Sequence, residues 1–133
     1  MKKPMLSSLN IDDVLRAALR EDMNGEDIST QAILDRSATG QADLICKEEG
    51  ILAGVSVFKR VFELLDDNVT FDLNVDDGSF VKKMQKLGTI TGPIHILLSG
   101  ERVSLNYLQR MSGIATYTKK MIDRLGDESV LLV

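Results

Sequence analysis

Arg102 is the side chain best suited to hold an anionic ligand. A guanidinium stays charged, and its planar fork of donors matches a carboxylate through two parallel hydrogen bonds. Read alone, the residue also fits a solvated arginine in the first turn of a helix, where the dipole slightly opposes a cation. Asn106 and Gln109 lie on the same helical stretch. Their amides fit a supporting role, bonding either a ligand or neighbouring backbone. Arg110 reads as a helix-surface charge.

Other chemistry-bearing residues read more plainly as structure. His95 is the sole histidine and sits in a strand-like IHILL run. No nucleophile or orienting group lies near it in sequence, so it reads as a satisfied strand histidine rather than a general base. Cys46, the one cysteine, lies in an apolar LIC run and reads as a small buried hydrophobe. Glu21, Asp22, Glu26, Asp27 and Thr30 bring oxygen ligands together, as a hard cation requires. Their spacing matches no EF-hand loop, so a polar turn with a helix cap at Asp27 or Ser29 is expected, and no metal site. Lys83, Met84 and Lys86 follow the turn signal Asp77-Gly78. That arrangement is similar to the swinging-arm hairpin of lipoyl and biotinyl carriers, but the flanking pattern is absent. No glycine-rich phosphate loop or dinucleotide fingerprint is present.

The elements that must position these groups follow from periodicity. Asn10 is a candidate cap for a helix whose Ile11, Val14, Leu15, Ala18 and Leu19 form one face. Asp12 and Asp13 would sit in its first turn, where they suit the dipole. Polar Glu21–Thr30 should end it. Thr39–Glu48 and Ile51–Ala53 read as strands. Ser56 should cap a helix buried through Val57, Phe58, Val61, Phe62 and Leu65. Val69, Phe71, Leu73 and Val75 alternate with polar residues, as a half-buried strand does. Phe80-Val81, Leu87–Ile90 and Ile94–Leu98 read as further strands. Ser99 then caps a long helix to Leu125, whose stripe is Ser104, Leu108, Met111, Ala115, Thr118, Ile122 and Leu125. Gly113 marks a kink or a close backbone contact in it, and Gly126 stops it.

Strands joined mostly by turns predict an α+β fold with a largely antiparallel sheet. Ser129–Val133 differs, being apolar at four consecutive positions, as a parallel barrel strand would be. The 133 residues suffice for one domain with its own core. A net charge of −4 argues against a nucleic-acid surface, because neutralising phosphates needs a basic patch. A lone cysteine excludes an internal disulfide and fits a reducing cytoplasm. No apolar run approaches the roughly 20 residues that span a bilayer, so no membrane partner is expected. Met1-Lys2-Lys3-Pro4 lacks a following apolar segment, so no signal peptide is expected.

The order Glu101-Arg102, Leu105-Asn106, Leu108-Gln109-Arg110, Ser112-Gly113-Ile114-Ala115-Thr116 and Thr118 resembles the signature helix of quinolinate phosphoribosyltransferases, the carboxylating nicotinate-nucleotide pyrophosphorylases. Ala18-Leu19, Glu21-Asp22, Gly25, Asp27 and Thr30 resemble the family's N-terminal motif. The resemblance implies an N-terminal α/β sandwich domain, residues 1–113, followed by the truncated start of an α/β barrel, residues 114–133. It implies conversion of quinolinate and phosphoribosyl pyrophosphate to nicotinate mononucleotide, pyrophosphate and CO2, in NAD biosynthesis. It implies that Arg102 contributes to the quinolinate pocket of the partner subunit in a homo-oligomer. Asn106 and Gln109 remain supporting candidates.

The family's Asp-Thr-Arg-Lys stretch follows the first barrel strand, and Val133 falls at the end of that strand. The phosphate-binding groups and the carboxylates for Mg2+ are therefore expected outside this chain, which alone should be inactive. Its uncovered apolar face should favour self-association. The alternatives are a molybdate-operon paralogue of the transferase, a non-enzymatic binding or interaction module of the same fold, and a lipoyl-like carrier.

Overall fold

The computed structural model describes residues 8–24 and 38–126. Helix α1 (Ser8–Asn24) comes first, then strands β1 (Thr39–Ile45) and β2 (Gly50–Ile51) and helix α2 (Val55–Leu65). Strands β3 (Thr70–Leu73), β4 (Phe80–Val81) and β5 (Lys86–Pro93) lead into the long helix α3 (Ile94–Leu125). Strand β5 is central, with β1 and β3 on either side, while β2 and β4 form a separate ribbon. All pairings are antiparallel. The described residues thus form the α+β, antiparallel architecture that the turn-joined strands imply.

The sheet's register follows from its apolar positions. Ile90 of β5 lies opposite Ala42 on one side and Phe71 on the other. Phe71 and Leu73 are half-buried, whereas Thr70 and Asp72 are exposed, as strict alternation requires. Phe58 and Phe62 of α2 meet edge to face at 5.4 Å and join Leu52, Leu87, Ile90, Ile96 and Leu108 in the main core. A second cluster, Leu15 and Leu19 of α1 with Val57, Val61 and Val103, fixes α1 across α2 and α3.

Helix α3 begins five residues before Ser99, so the run Ile94–Leu98 is helical rather than a strand. Pro93 occupies its N-cap position with φ −59°. Ser99 is no cap, being buried inside the helix. The buried face is Ile96, Ser99, Gly100, Val103, Ser104 and Leu108, a helical period in which small residues stand where an apolar pattern has gaps. A Cβ at Gly100 would lie 2.7 Å from the Phe62 ring, so this glycine lets α3 settle on α2. Past Leu108 the expected stripe emerges: Met111 and Ala115 are half-buried, Thr118 and Ile122 exposed. Gly113 is exposed, with no described heavy atom within 4 Å of where a Cβ would stand, and α3 continues unbroken through it.

Four other expectations are corrected. Helix α1 starts at Ser8, so Asn10 lies within it and Asp12 beyond the first turn. Val14 points to solvent rather than joining the buried face. Ser56 does not cap α2, because left-handed Gly54 (φ 95°) occupies that position. Asp77 Oδ1 instead accepts from Val55 N at 2.9 Å, from a turn 22 residues later. Glu21–Asn24 continue α1. The proposed caps Asp27 and Ser29, and the strand Ser129–Val133, lie outside the described residues.

Candidate functional site

Arg102 lies in the third turn of α3, because the helix begins at Ile94. The dipole objection to a cation there lapses, since that effect is confined to the first turn. Arg102 Nη1 donates to Asp22 Oδ1 at 2.8 Å. The two side chains are unequally covered: Asp22 is 13% exposed and Arg102 71%. The aspartate is thus held against the fold, while the guanidinium stands out from it.

Ala18, Glu21, Asp22, Arg102, Val103, Asn106 and Tyr107 enclose a concavity of about 340 Å³. Asn106 therefore joins Arg102, one turn along the same helix. Gln109 does not line it; seven residues carry it ~10 Å along the axis. It lines a larger groove of about 1080 Å³ between β1 and α3, with Leu44, Leu97, Leu105, Ser112 and Tyr117. Arg110 is exposed, as a surface charge would be.

Asp22 is the residue that sequence reading assigned to a polar loop. The signal for it was present: Leu15, Ala18, Leu19 and Asp22 continue one i, i+3, i+4, i+7 face, so α1 aims Asp22 inward.

The remaining candidates take structural roles. His95 stands in the first turn of α3, and its buried Nδ1 has no hydrogen-bond partner among the described residues. It is therefore a helix residue rather than a strand histidine. Cys46 is half-buried just after β1, its Sγ donating to Glu48 O at 2.8 Å. Lys86 opens β5 and pairs with Asp43 of β1 at 3.4 Å. Met84 takes up a left-handed conformation (φ 68°) in the preceding turn. Asp12 binds Arg60 through two hydrogen bonds of 2.8 and 2.7 Å. That contact lowers the Asp12 pKa and raises that of Arg60. The pair joins α1 to α2 and lies outside the concavity.

Among the described residues no group of three or more His, Cys, Asp or Glu side chains can hold a metal ion, and no helix is long and apolar enough to cross a membrane. The class is thus an α+β domain that displays one braced arginine beside a small polar concavity. The family described as quinolinate phosphoribosyl transferase, N-terminal domain, matches residues 27–112, and the chain belongs to it. A Bacillus subtilis (strain 168) protein named "Probable nicotinate-nucleotide pyrophosphorylase (carboxylating)" is 38% identical over 125 residues, covering 94% of this chain and 43% of its own length. Quinolinate phosphoribosyltransferase (decarboxylating) 1b of Nicotiana tabacum is 33% identical over 132 residues, covering 98% of this chain and 38% of its own. The crystal structure of NadC from Streptococcus pyogenes superposes with a TM-score of 0.85 at 44% identity, covering 92% of this chain and 44% of that one. This chain therefore spans about two-fifths of the length of the relatives it matches.

Proposed function

We propose that this chain is the N-terminal part of a cytoplasmic quinolinate phosphoribosyltransferase, which joins quinolinate to phosphoribosyl pyrophosphate and releases pyrophosphate and CO2. Residues 1–113 form its sandwich domain, and 114–133 begin its barrel. The observation that carries this reading is Arg102, extended from the fold at 71% exposure with one donor already engaged. With Asp22 on Nη1, the Nε–Nη2 edge has no hydrogen bond among the described residues. That edge can take a carboxylate through two parallel bonds. A side chain so far from its own core is suited to a site completed by a second copy of the chain. Asn106, on the same wall, supplies an amide for the ligand's remaining acceptors.

The described residues do not fit a Mg2+ site. A cation that neutralises pyrophosphate would be held by carboxylates outside this chain.

The test is a steady-state assay of the complete polypeptide containing this chain, with quinolinate, phosphoribosyl pyrophosphate and Mg2+. Nicotinate mononucleotide should form, and Arg102→Ala should lower kcat/KM for quinolinate by about 100-fold, the order expected for a lost charged, bidentate contact. Absence of product, or an Arg102→Ala enzyme with wild-type quinolinate kinetics, would overturn the reading. The 133-residue chain alone should yield no product.

A further inference from the structure

We infer that Asp22 is the positioning residue for Arg102: it holds the guanidinium in the orientation that receives a carboxylate. The inference rests on the ligand reading of Arg102 above. A long, exposed arginine loses much rotamer freedom when a ligand fixes it, and that loss weakens binding. A partner that fixes it beforehand removes part of the cost.

Asp22 meets the requirements for such a partner. It is itself covered, and it projects from the same face of α1 as Leu15 and Leu19, both buried against Val103 of α3. Its base is therefore rigid relative to the helix carrying Arg102. It engages Nη1 alone, at 2.8 Å, and so leaves the Nε–Nη2 edge available. It lies 80 positions from Arg102 in sequence, yet both line one concavity.

A merely structural tie is a poorer account of this pair. The Leu15–Leu19–Val57–Val61–Val103 cluster already docks α1, and Asp12–Arg60 clamps it to α2. Asp22 also carries a charge that opposes an anionic ligand, so its presence beside the ligand edge is useful only for its geometry.

Kinetics of the complete enzyme decide the matter. Asp22→Ala should raise the KM for quinolinate about tenfold, the scale of one charge-assisted hydrogen bond, with the KM for phosphoribosyl pyrophosphate unchanged. Asp22→Asn, which keeps an acceptor oxygen on Nη1, should restore most of the loss. In an Arg102→Ala background Asp22→Ala should have no further effect, because nothing remains to be positioned. Asp22→Ser, too short to reach Nη1, replaces the alanine variant if that fails to fold. If Asp22→Ala and Arg102→Ala are additive, or Asp22→Ala leaves the quinolinate KM at its wild-type value while Arg102→Ala raises it, the positioning role is overturned and the ligand reading stands. If Arg102→Ala itself leaves that KM unchanged, both fall.

Discussion

Thr116 of α3 closes the backbone edge of β2 at Ile51. Ile51 N donates to Thr116 Oγ1 at 2.9 Å, and the hydroxyl in turn donates to Ser112 O at 2.7 Å. One turn earlier Ser112 does the same for Ala53, accepting from its N–H at 3.0 Å and donating to its carbonyl at 3.1 Å. Two hydroxyls four residues apart thus stand in for a missing strand beside β2, whose other edge is paired to β4. Unpaired edge groups would otherwise be left to water or to another chain.

Thr116→Val keeps the shape and removes the acceptor. It should cost about 1–2 kcal/mol, the scale of a lost hydrogen bond that strands a part-buried N–H. Thr118→Val, two residues on and exposed, should stay within about 0.5 kcal/mol of the parent. Urea unfolding of the two variants makes the comparison. Equal midpoints would show that water satisfies Ile51 as well as the hydroxyl does.

Two glycines of α3 should respond in opposite directions to alanine. A methyl at Gly100 meets the Phe62 ring at 2.7 Å, so Gly100→Ala should destabilise by about 1–3 kcal/mol through overpacking. Gly113 has open space around it, and Gly113→Ala should stabilise by about 0.5–1 kcal/mol through helix propensity. Thermal melts of this chain test both. A Gly113→Ala variant that stabilises this chain but harms the complete enzyme would mark residue 113 as a contact of the remaining polypeptide.

These positions also show what the sequence made legible. Phe58, Phe62, Leu15 and Leu19 announced their burial because they are apolar at helical spacing. Ser99 and Gly100 are buried as well, but a serine after an apolar run looks like a helix cap, so Ile94–Leu98 before it reads as a strand. Arg102 could be singled out by its chemistry. The period of α1 aims Asp22 inward, but that it meets Arg102 depends on how α1 crosses α3, which no local pattern encodes. Asp77 as the remote cap of α2 escaped for the same reason.

The Asp12–Arg60 pair gives a pH prediction. In the folded chain the hydrogen bonds from Arg60 hold the Asp12 pKa below its ordinary 3.8. A carboxyl with a depressed folded pKa stabilises the fold fully above its unfolded pKa, and loses that contribution as pH falls through the folded value. Asp12→Asn should therefore unfold at a lower temperature than wild type at pH 7, and the gap should close as pH drops below about 4. Arg60 stays charged throughout. Paired melts from pH 7 to pH 2 measure the gap; a difference constant with pH would mean the carboxylate charge contributes nothing.

Met84 offers a stabilising change. Its backbone is left-handed (φ 68°), a conformation in which a side chain costs roughly 1–2 kcal/mol and glycine costs none. The turn is held by backbone groups, with Met84 N donating to Cys46 O at 2.7 Å and Gln85 N to Lys82 O at 3.0 Å. None of these bonds uses the methionine side chain, which is 68% exposed and gives up little burial when removed. Against the gain stands the greater freedom of glycine in the unfolded chain, which returns about 0.5–1 kcal/mol of it. The balance favours Met84→Gly by about 0.5–1 kcal/mol, seen as a higher urea midpoint with an unchanged slope. A lower midpoint would mean that the exposed thioether covers apolar surface in the folded chain.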